Sequence, residues 1–351
     1  MQLMKRESVR NPWMDCLRLL SAVAVIIIHV VAKQWHTADV HSGNWLVLCL
    51  YNCSVRWCVP LFVMMSGALF LTPEKQISLR DLYGKYILRL LIAYFVWGAL
   101  YALLDYDGTV AGFAEALIAG YYHMWYLPML AGLYAMLPLL RKITESEKLT
   151  GYFLILVLVG GFLIPNVISI LQELTVAGGW LADLWANAGM QLVFDYSGYF
   201  VAGYMLSKLE LEKRWRMVIY GAGILGWLFT LGVPFVYGKY AGHSTAIVMG
   251  YDYLNVALQA VALFVFGKYE LHRIVFSQKA INWLGGAAKG SFGVYLVHVL
   301  VLELILRFFG DALGTMPVAL WIPAMIVLVL LISSGISWLL NRVPIVKKYL
   351  V

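Results

Sequence analysis

Long apolar runs alternate with short polar stretches along the whole chain. Ten of the runs approach the length of a membrane span, near 14–33, 55–72, 87–104, 124–140, 151–170, 190–207, 217–237, 253–267, 291–309 and 320–340. A helix needs about 20 mostly apolar residues to cross the hydrocarbon of a bilayer. The eighth run is short and the second has a polar lead-in, but no polar insert large enough to make a soluble domain separates any two of them. The pattern predicts an all-α, polytopic integral membrane protein of about ten helices, organised as a single membrane domain over residues 1–351. Pro60, Pro128, Pro138, Pro234 and Pro323 fall in or beside these runs, where neighbouring helices can satisfy the backbone groups that a proline frees. No internal repeat is evident, and the paired broken helices of an inverted-repeat transporter are missing from the pattern.

Composition strengthens the reading. The 351 residues are 62% hydrophobic and only 13% charged, against roughly 25% charged in a soluble domain. A mean hydropathy of +0.79 without a polar half excludes a soluble enzyme on one anchor, and it excludes disorder, which needs low hydrophobicity and high charge. The net charge of +7 would point to a polyanion only if the basic residues shared a soluble face. With the N-terminus inside, 22 of the 26 Lys and Arg residues fall on the inner side, and only Lys33, Arg56, Lys239 and Arg307 fall elsewhere. The acidic residues divide 9 to 10, as expected when orientation follows basic residues alone. Both termini are therefore expected in the cytoplasm, and nucleic-acid binding has no support. The N-terminal basics Lys5, Arg6 and Arg10 before an apolar run resemble a signal peptide. The run is too long, lacks a small-residue cleavage pattern and contains Arg18 and His29, so it reads as a retained first span. Cys16, Cys49, Cys53 and Cys58 form no CxxC pair and no zinc spacing, so no metal is expected. The last three cluster near one membrane face, as free thiols or with one oxidised pair.

Ionisable groups in hydrocarbon are costly and mark function by default. The first span opens with Asp15 and Arg18, i,i+3 neighbours able to pair, and reaches His29 after an apolar stretch. Eleven residues are close to three helical turns, so Arg18 and His29 share a face about 16 Å apart along the axis. Taken singly, Arg18 reads equally as a positive-inside anchor and His29 as a hydrogen-bonded core histidine. Lys85 and Arg89 stand i,i+4 at the start of the third span; they suit phosphates, Lys as a point charge and Arg as a fork, and also suit plain flanking anchors. His123, Trp125 and Tyr126 open the fourth span, where an aromatic belt explains the last two but not the histidine. In the ninth span Ser291, Tyr295 and His298 line one stripe, and Glu303 lacks an obvious local partner. No GxSxG, HExxH, Walker or GxGxxG motif occurs.

These blocks resemble the acyltransferase family 3 membrane proteins, which O-acylate envelope glycans. Arg18 followed by His29 is similar to that family's Arg/Lys-x10-His signature. Arg56-Trp-Cys-Val-Pro60-Leu-Phe62-Val-Met-Met-Ser66-Gly67 is similar to its second-helix block. Lys85 and Arg89 fall where it keeps an RxxR-type motif, although Tyr86 stands where the first arginine would. His123-Met-Trp125-Tyr126 and the Ser291/Tyr295/His298 stripe are similar to its His-x-Trp-aromatic and late Ser/Tyr/His blocks. The order is kept through all ten runs, and the chain resembles the stand-alone members that carry no SGNH-type domain.

The resemblance implies a multi-pass enzyme of the bacterial inner membrane. It would move an acyl group, expected to be acetyl, from cytoplasmic acyl-CoA to a hydroxyl of an extracytoplasmic or lipid-linked glycan. It also implies His29 as general base, or as carrier of an acyl-imidazole, and Arg18, oriented by Asp15, at the thioester or the donor phosphates. Lys85 and Arg89 would hold the phosphates. Arg56, His123, Trp125, Ser291, Tyr295 and His298 would surround the acceptor or stabilise developing charge. Membrane lipids are the other expected partners. The competing reading is a carrier that passes an anionic solute along the same buried groups without acyl transfer.

Overall fold

The computed structural model describes residues 11–104, 106, 108–187, 196–314 and 316–351, and only the backbone at 173, 174 and 311–314. Lys5, Arg6 and Arg10, and residues 190–195 of the sixth predicted span, lie outside the described residues. Among the described residues every regular element is a helix. In chain order these are α1 (Pro12–Trp35), α2 (Gly43–Cys53), α3 (Cys58–Phe70), α4 (Leu79–Leu104), α5 (Val110–Ala119), α6 (Tyr126–Ala135), α7 (Leu137–Thr144) and α8 (Glu147–Gln172). They continue with α9 (Val176–Asn187), α10 (Ser197–Lys208), α11 (Lys213–Ala241), α12 (Leu254–Tyr269), α13 (Gln278–Gly314), α14 (Val318–Leu340) and α15 (Pro344–Tyr349).

Local chemistry sets the helix ends. Pro12 occupies the first turn of α1, where its missing N–H costs nothing and its fixed φ fits the helix. Ser42, Ser78, Thr109 and Ser146 cap α2, α4, α5 and α8, each side-chain oxygen accepting from the backbone N–H three residues on. Gly120 closes α5 at φ +71°, and a Cβ there would strike the Tyr94 ring, so only glycine serves at this turn.

Eight helical stretches among the described residues are long and apolar enough to cross a membrane. The second expected span begins earlier than its apolar run, at Gly43, and turns at 54–57 between α2 and α3. The fourth is split: α6 stops at Ala135 and α7 restarts at Leu137, with Pro138 in its first turn, a position where proline starts a helix rather than continuing one. The sixth corresponds to the 12 residues of α10. The expected count of ten is thus eight long stretches plus two shorter segments among the described residues.

α1 lies at the centre, packed against α2, α3, α12, α13 and α14. α3 and α10 cross at Gly67 and Gly203: a Cβ on the first would run into the Phe200 carbonyl, and one on the second into the Met64 carbonyl. Small residues let membrane helices approach this closely where apolar side chains gain nothing over lipid. All four cysteines are free thiols, and Cys49, Cys53 and Cys58 are buried.

Candidate active site

Arg18 and His29 line one cavity of about 370 Å³, as the shared face of α1 predicts. That volume is at the lower end of the roughly 300–1,000 Å³ of small-molecule sites and suits a thin chain better than a bulky group. α3 contributes Phe62, Ser66 and Phe70, α4 contributes Tyr86 and Arg89, and the α5–α6 segment contributes His123, Trp125 and Tyr126. Lys289, Ser291, Phe292 and Tyr295 enter from α13, and Tyr251 from the loop before α12.

Hydrogen bonds hold His29, which lines the cavity, against His298, which is buried and not part of the lining. His29 Nδ1 lies 2.7 Å from His298 Nε2, and His298 Nδ1 lies 2.6 Å from the Tyr295 carbonyl oxygen. A carbonyl can only accept, so His298 carries its proton on Nδ1 and, as a neutral ring, presents the Nε2 lone pair. His29 must then donate from Nδ1, which leaves its own lone pair on Nε2. The order of donors assigns the tautomers of both rings from heavy-atom positions alone. The Tyr295 hydroxyl donates to the His123 carbonyl at 2.7 Å, tying the segment before α6 to the same turn of α13.

His123 is 2% exposed and neither of its ring nitrogens has a partner. Its ring meets those of Tyr101, His298, Tyr295 and His29 at 5.1, 5.4, 5.6 and 6.0 Å between centroids. A buried neutral imidazole always has one N–H to place, and leaving it unpaired is expensive. Trp125 stacks against Tyr251, with centroids 5.8 Å apart and planes 25° apart, and also contacts Tyr196. Ser291 spends its hydroxyl on the Ala288 carbonyl of its own helix at 2.8 Å.

The opposite end is basic. Arg89 donates to the Val351 carbonyl and lies 5.3 Å over the Phe292 ring, and its buried Nε has no partner. Lys85, expected beside it, is exposed and outside the cavity lining. Lys85 lies within the π-wound turn Leu82–Ile87 and Arg89 in the α-helical turn after it, so α-helical spacing does not describe how the two side chains are presented. Lys289 takes a place in the lining that spacing alone did not suggest. Lys75 sits 3.6 Å over Phe70; burial, followed by the neighbouring charges of Arg141, Arg18 and Lys85, pushes its pKa down from 10.5 to about 8. Asp15 is buried in the opening turn of α1 and does not line the cavity, and Arg18 makes no ion pair among the described residues. Arg56 also stays off the lining; it holds Asn52 across the α2–α3 turn.

Glu303 finds its partner in Lys33, an ion pair between α13 and α1. Lys33 follows His29 by one turn, and Glu303 follows His298 by five residues, so the pair lies just beyond the two histidines. The Tyr121 hydroxyl reaches Glu303 at 3.4 Å. Sequence alone offered no route from Lys33 to Glu303. Among the described residues no group of three or more His, Cys, Asp or Glu side chains stands ready for a metal ion.

A family model described as an acyltransferase domain matches residues 11–338. No curated protein and no solved structure matches the chain.

Proposed function

The chain belongs to acyltransferase family 3, and from this we propose that it is an acyl-CoA-dependent O-acyltransferase of the bacterial inner membrane, with acetyl as the group moved and a cell-envelope glycan or lipid-linked saccharide as acceptor. The observation that carries the reading is the hydrogen-bonded order Tyr295 carbonyl, His298, His29. It gives a membrane-embedded imidazole whose Nε2 lone pair borders a cavity with a basic end.

Basic residues on the cytoplasmic side fit the donor. Arg18, Arg89 and Lys289 line that end of the cavity, with Lys75 and Lys85 close by, and phosphates bind such groups through charge-assisted hydrogen bonds. The apolar side chains of Phe62, Phe70 and Leu90 in the same lining suit a pantetheine arm. The acceptor hydroxyl reaches His29 from the other end, past Trp125 and Tyr251, whose flat faces suit a sugar ring.

The chemistry then balances within the site. His29 Nε2 takes the acceptor proton while the hydroxyl oxygen attacks the thioester carbonyl. The tetrahedral centre collapses with loss of the C–S bond, and the His29 imidazolium returns the proton to sulfur, giving ester and free thiol. Charge on the former carbonyl oxygen is met by the unpartnered N–H of His123, and His298 spreads the transient charge on His29. In the alternative order the acyl group rests on His29 Nε2 before the acceptor arrives.

Purified protein in lipid nanodiscs, given acetyl-CoA with and without an envelope glycan, tests the reading through the free thiol released. Glycan-dependent thiol release with acetyl ester on the glycan is expected. Uptake of an anion into proteoliposomes without thiol release would replace the transferase with a carrier.

A further inference from the structure

Tyr101, from the last part of α4, is absent from the sequence motifs and from the cavity lining, yet it touches the turn of α13 that carries His298. Its hydroxyl donates to the Leu296 carbonyl at 2.8 Å and accepts from the Leu300 N–H at 3.0 Å. Those two backbone groups are four residues apart, the pair that a regular α-helix bonds to each other. A side-chain oxygen reaching both is the arrangement that adjusts a helix locally, and His298 sits midway between the two contacts. Tyr101 is 1% exposed, stacks on Tyr121 with centroids 4.6 Å apart, and meets the His123 ring edge-on at 5.1 Å. The ring is therefore held from two sides while the hydroxyl is spent on α13.

We propose that Tyr101 is a positioning residue for acyl transfer: its hydroxyl sets the helical turn at Leu296–Leu300 and thereby the place at which His298 meets His29. The proposal rests on His29 acting as the base. Hydrogen bonds between rings tolerate little displacement, and a shift of about 1 Å at a reacting group costs on the order of 10²-fold in rate. Arg18, Arg89 and Lys289 are on other turns, so donor binding does not pass through Tyr101.

Tyr101→Phe keeps the ring, the stack on Tyr121 and the edge contact with His123, and removes only the hydroxyl. The expected result is a kcat lower by about 10- to 100-fold, with the KM for acetyl-CoA unchanged and the ¹⁵N signals of His29 moved from the Nδ1-protonated pattern of the parent. A variant that merely loosened the fold would lower the yield or the melting temperature and leave kcat per folded molecule and the tautomer pattern as they were. If Tyr101→Phe does not purify as a folded protein, a fluorotyrosine at 101 decides the matter. It keeps ring and hydroxyl but weakens the hydroxyl as acceptor from Leu300, and kcat should fall in step with the number of fluorines. Parental kcat in either variant overturns the proposal. His29→Ala run alongside separates the two ideas: full activity there removes the base, whereas an inactive His29→Ala beside a fully active Tyr101→Phe removes only Tyr101.

Discussion

His29 Nδ1 and His298 Nε2 stand 2.7 Å apart although 269 positions separate them in the chain. Because His298 has already committed its other nitrogen to the Tyr295 carbonyl, this contact decides which nitrogen of His29 keeps its lone pair free. A residue of α1 thus has its tautomer selected by a backbone oxygen of α13.

Replacing His298 should therefore damage the chemical step. His298→Phe keeps most of the volume but removes the acceptor for His29 Nδ1–H, freeing the ring to flip or change tautomer. Steady-state kinetics should show kcat down by about 10²- to 10⁴-fold, the range in which loss of an orienting partner leaves a catalytic histidine. The KM for acetyl-CoA should stay close to the parent's. A variant whose only defect is a raised donor KM would place His298 in the donor site instead.

Lys75 carries a pH signature. Its pKa is depressed to about 8 by burial and by Arg141, Arg18 and Lys85, so it is charged below that pH and neutral above it. If it attracts the donor phosphates, kcat/KM for acetyl-CoA falls as pH rises through about 8, since this ratio reports groups of the free enzyme. Lys75→Arg, charged throughout, should remove that fall. Superimposable profiles for parent and variant would detach Lys75 from donor binding.

The Lys33–Glu303 pair tests packing apart from catalysis. Its side chains are 29% and 25% exposed, so each charge is largely withdrawn from water. Glu303→Ala strands Lys33, and a loss of about 1–3 kcal/mol is expected, somewhat below the cost of breaking a fully buried pair. Removing both charges with Lys33→Met and Glu303→Leu should recover most of that loss in detergent melting curves. A double variant as unstable as Glu303→Ala would mean that the pair itself, rather than the stranded ammonium, matters.

How far these contacts were legible in the sequence depends on their range along the chain. Arg18 and His29 could be paired in advance because helical repeat alone returns position 29 to the face of position 18. The ninth-span stripe of Ser291, Tyr295 and His298 was readable for the same reason. Lys33 and Glu303 lie 270 positions apart, so no local period links them, and Glu303 looked unpartnered. Tyr101 was invisible because an aromatic in an apolar helix resembles any other core residue until its hydroxyl contacts are known. Lys85 lies in the π-wound Leu82–Ile87 turn, where the 3.6-residue rule that paired it with Arg89 does not describe how the two side chains are presented. The fourth run was long enough on paper, and Pro138 divides it.

Orientation is testable independently of chemistry. With the N-terminus inside, 22 of the 26 basic residues fall on the inner side, so the Arg18 and Arg89 end of the cavity is expected to face the cytoplasm. Reporters fused after Val40 and His243 should be active outside, and those after Ser78 and Glu212 inside. The reverse pattern would put the basic end on the face that acyl-CoA never reaches.

On the proposed function, His29 takes the proton from the acceptor hydroxyl while acyl-CoA waits in the cavity. The most direct measurement compares single-turnover transfer from acetyl-CoA to glycan by the parent and by His29→Ala, in nanodiscs, with acetyl-CoA binding measured in parallel. Transfer by His29→Ala should be slower by about 10² or more, with acetyl-CoA still bound at near-parental affinity. Transfer at the parental rate by folded His29→Ala would contradict it.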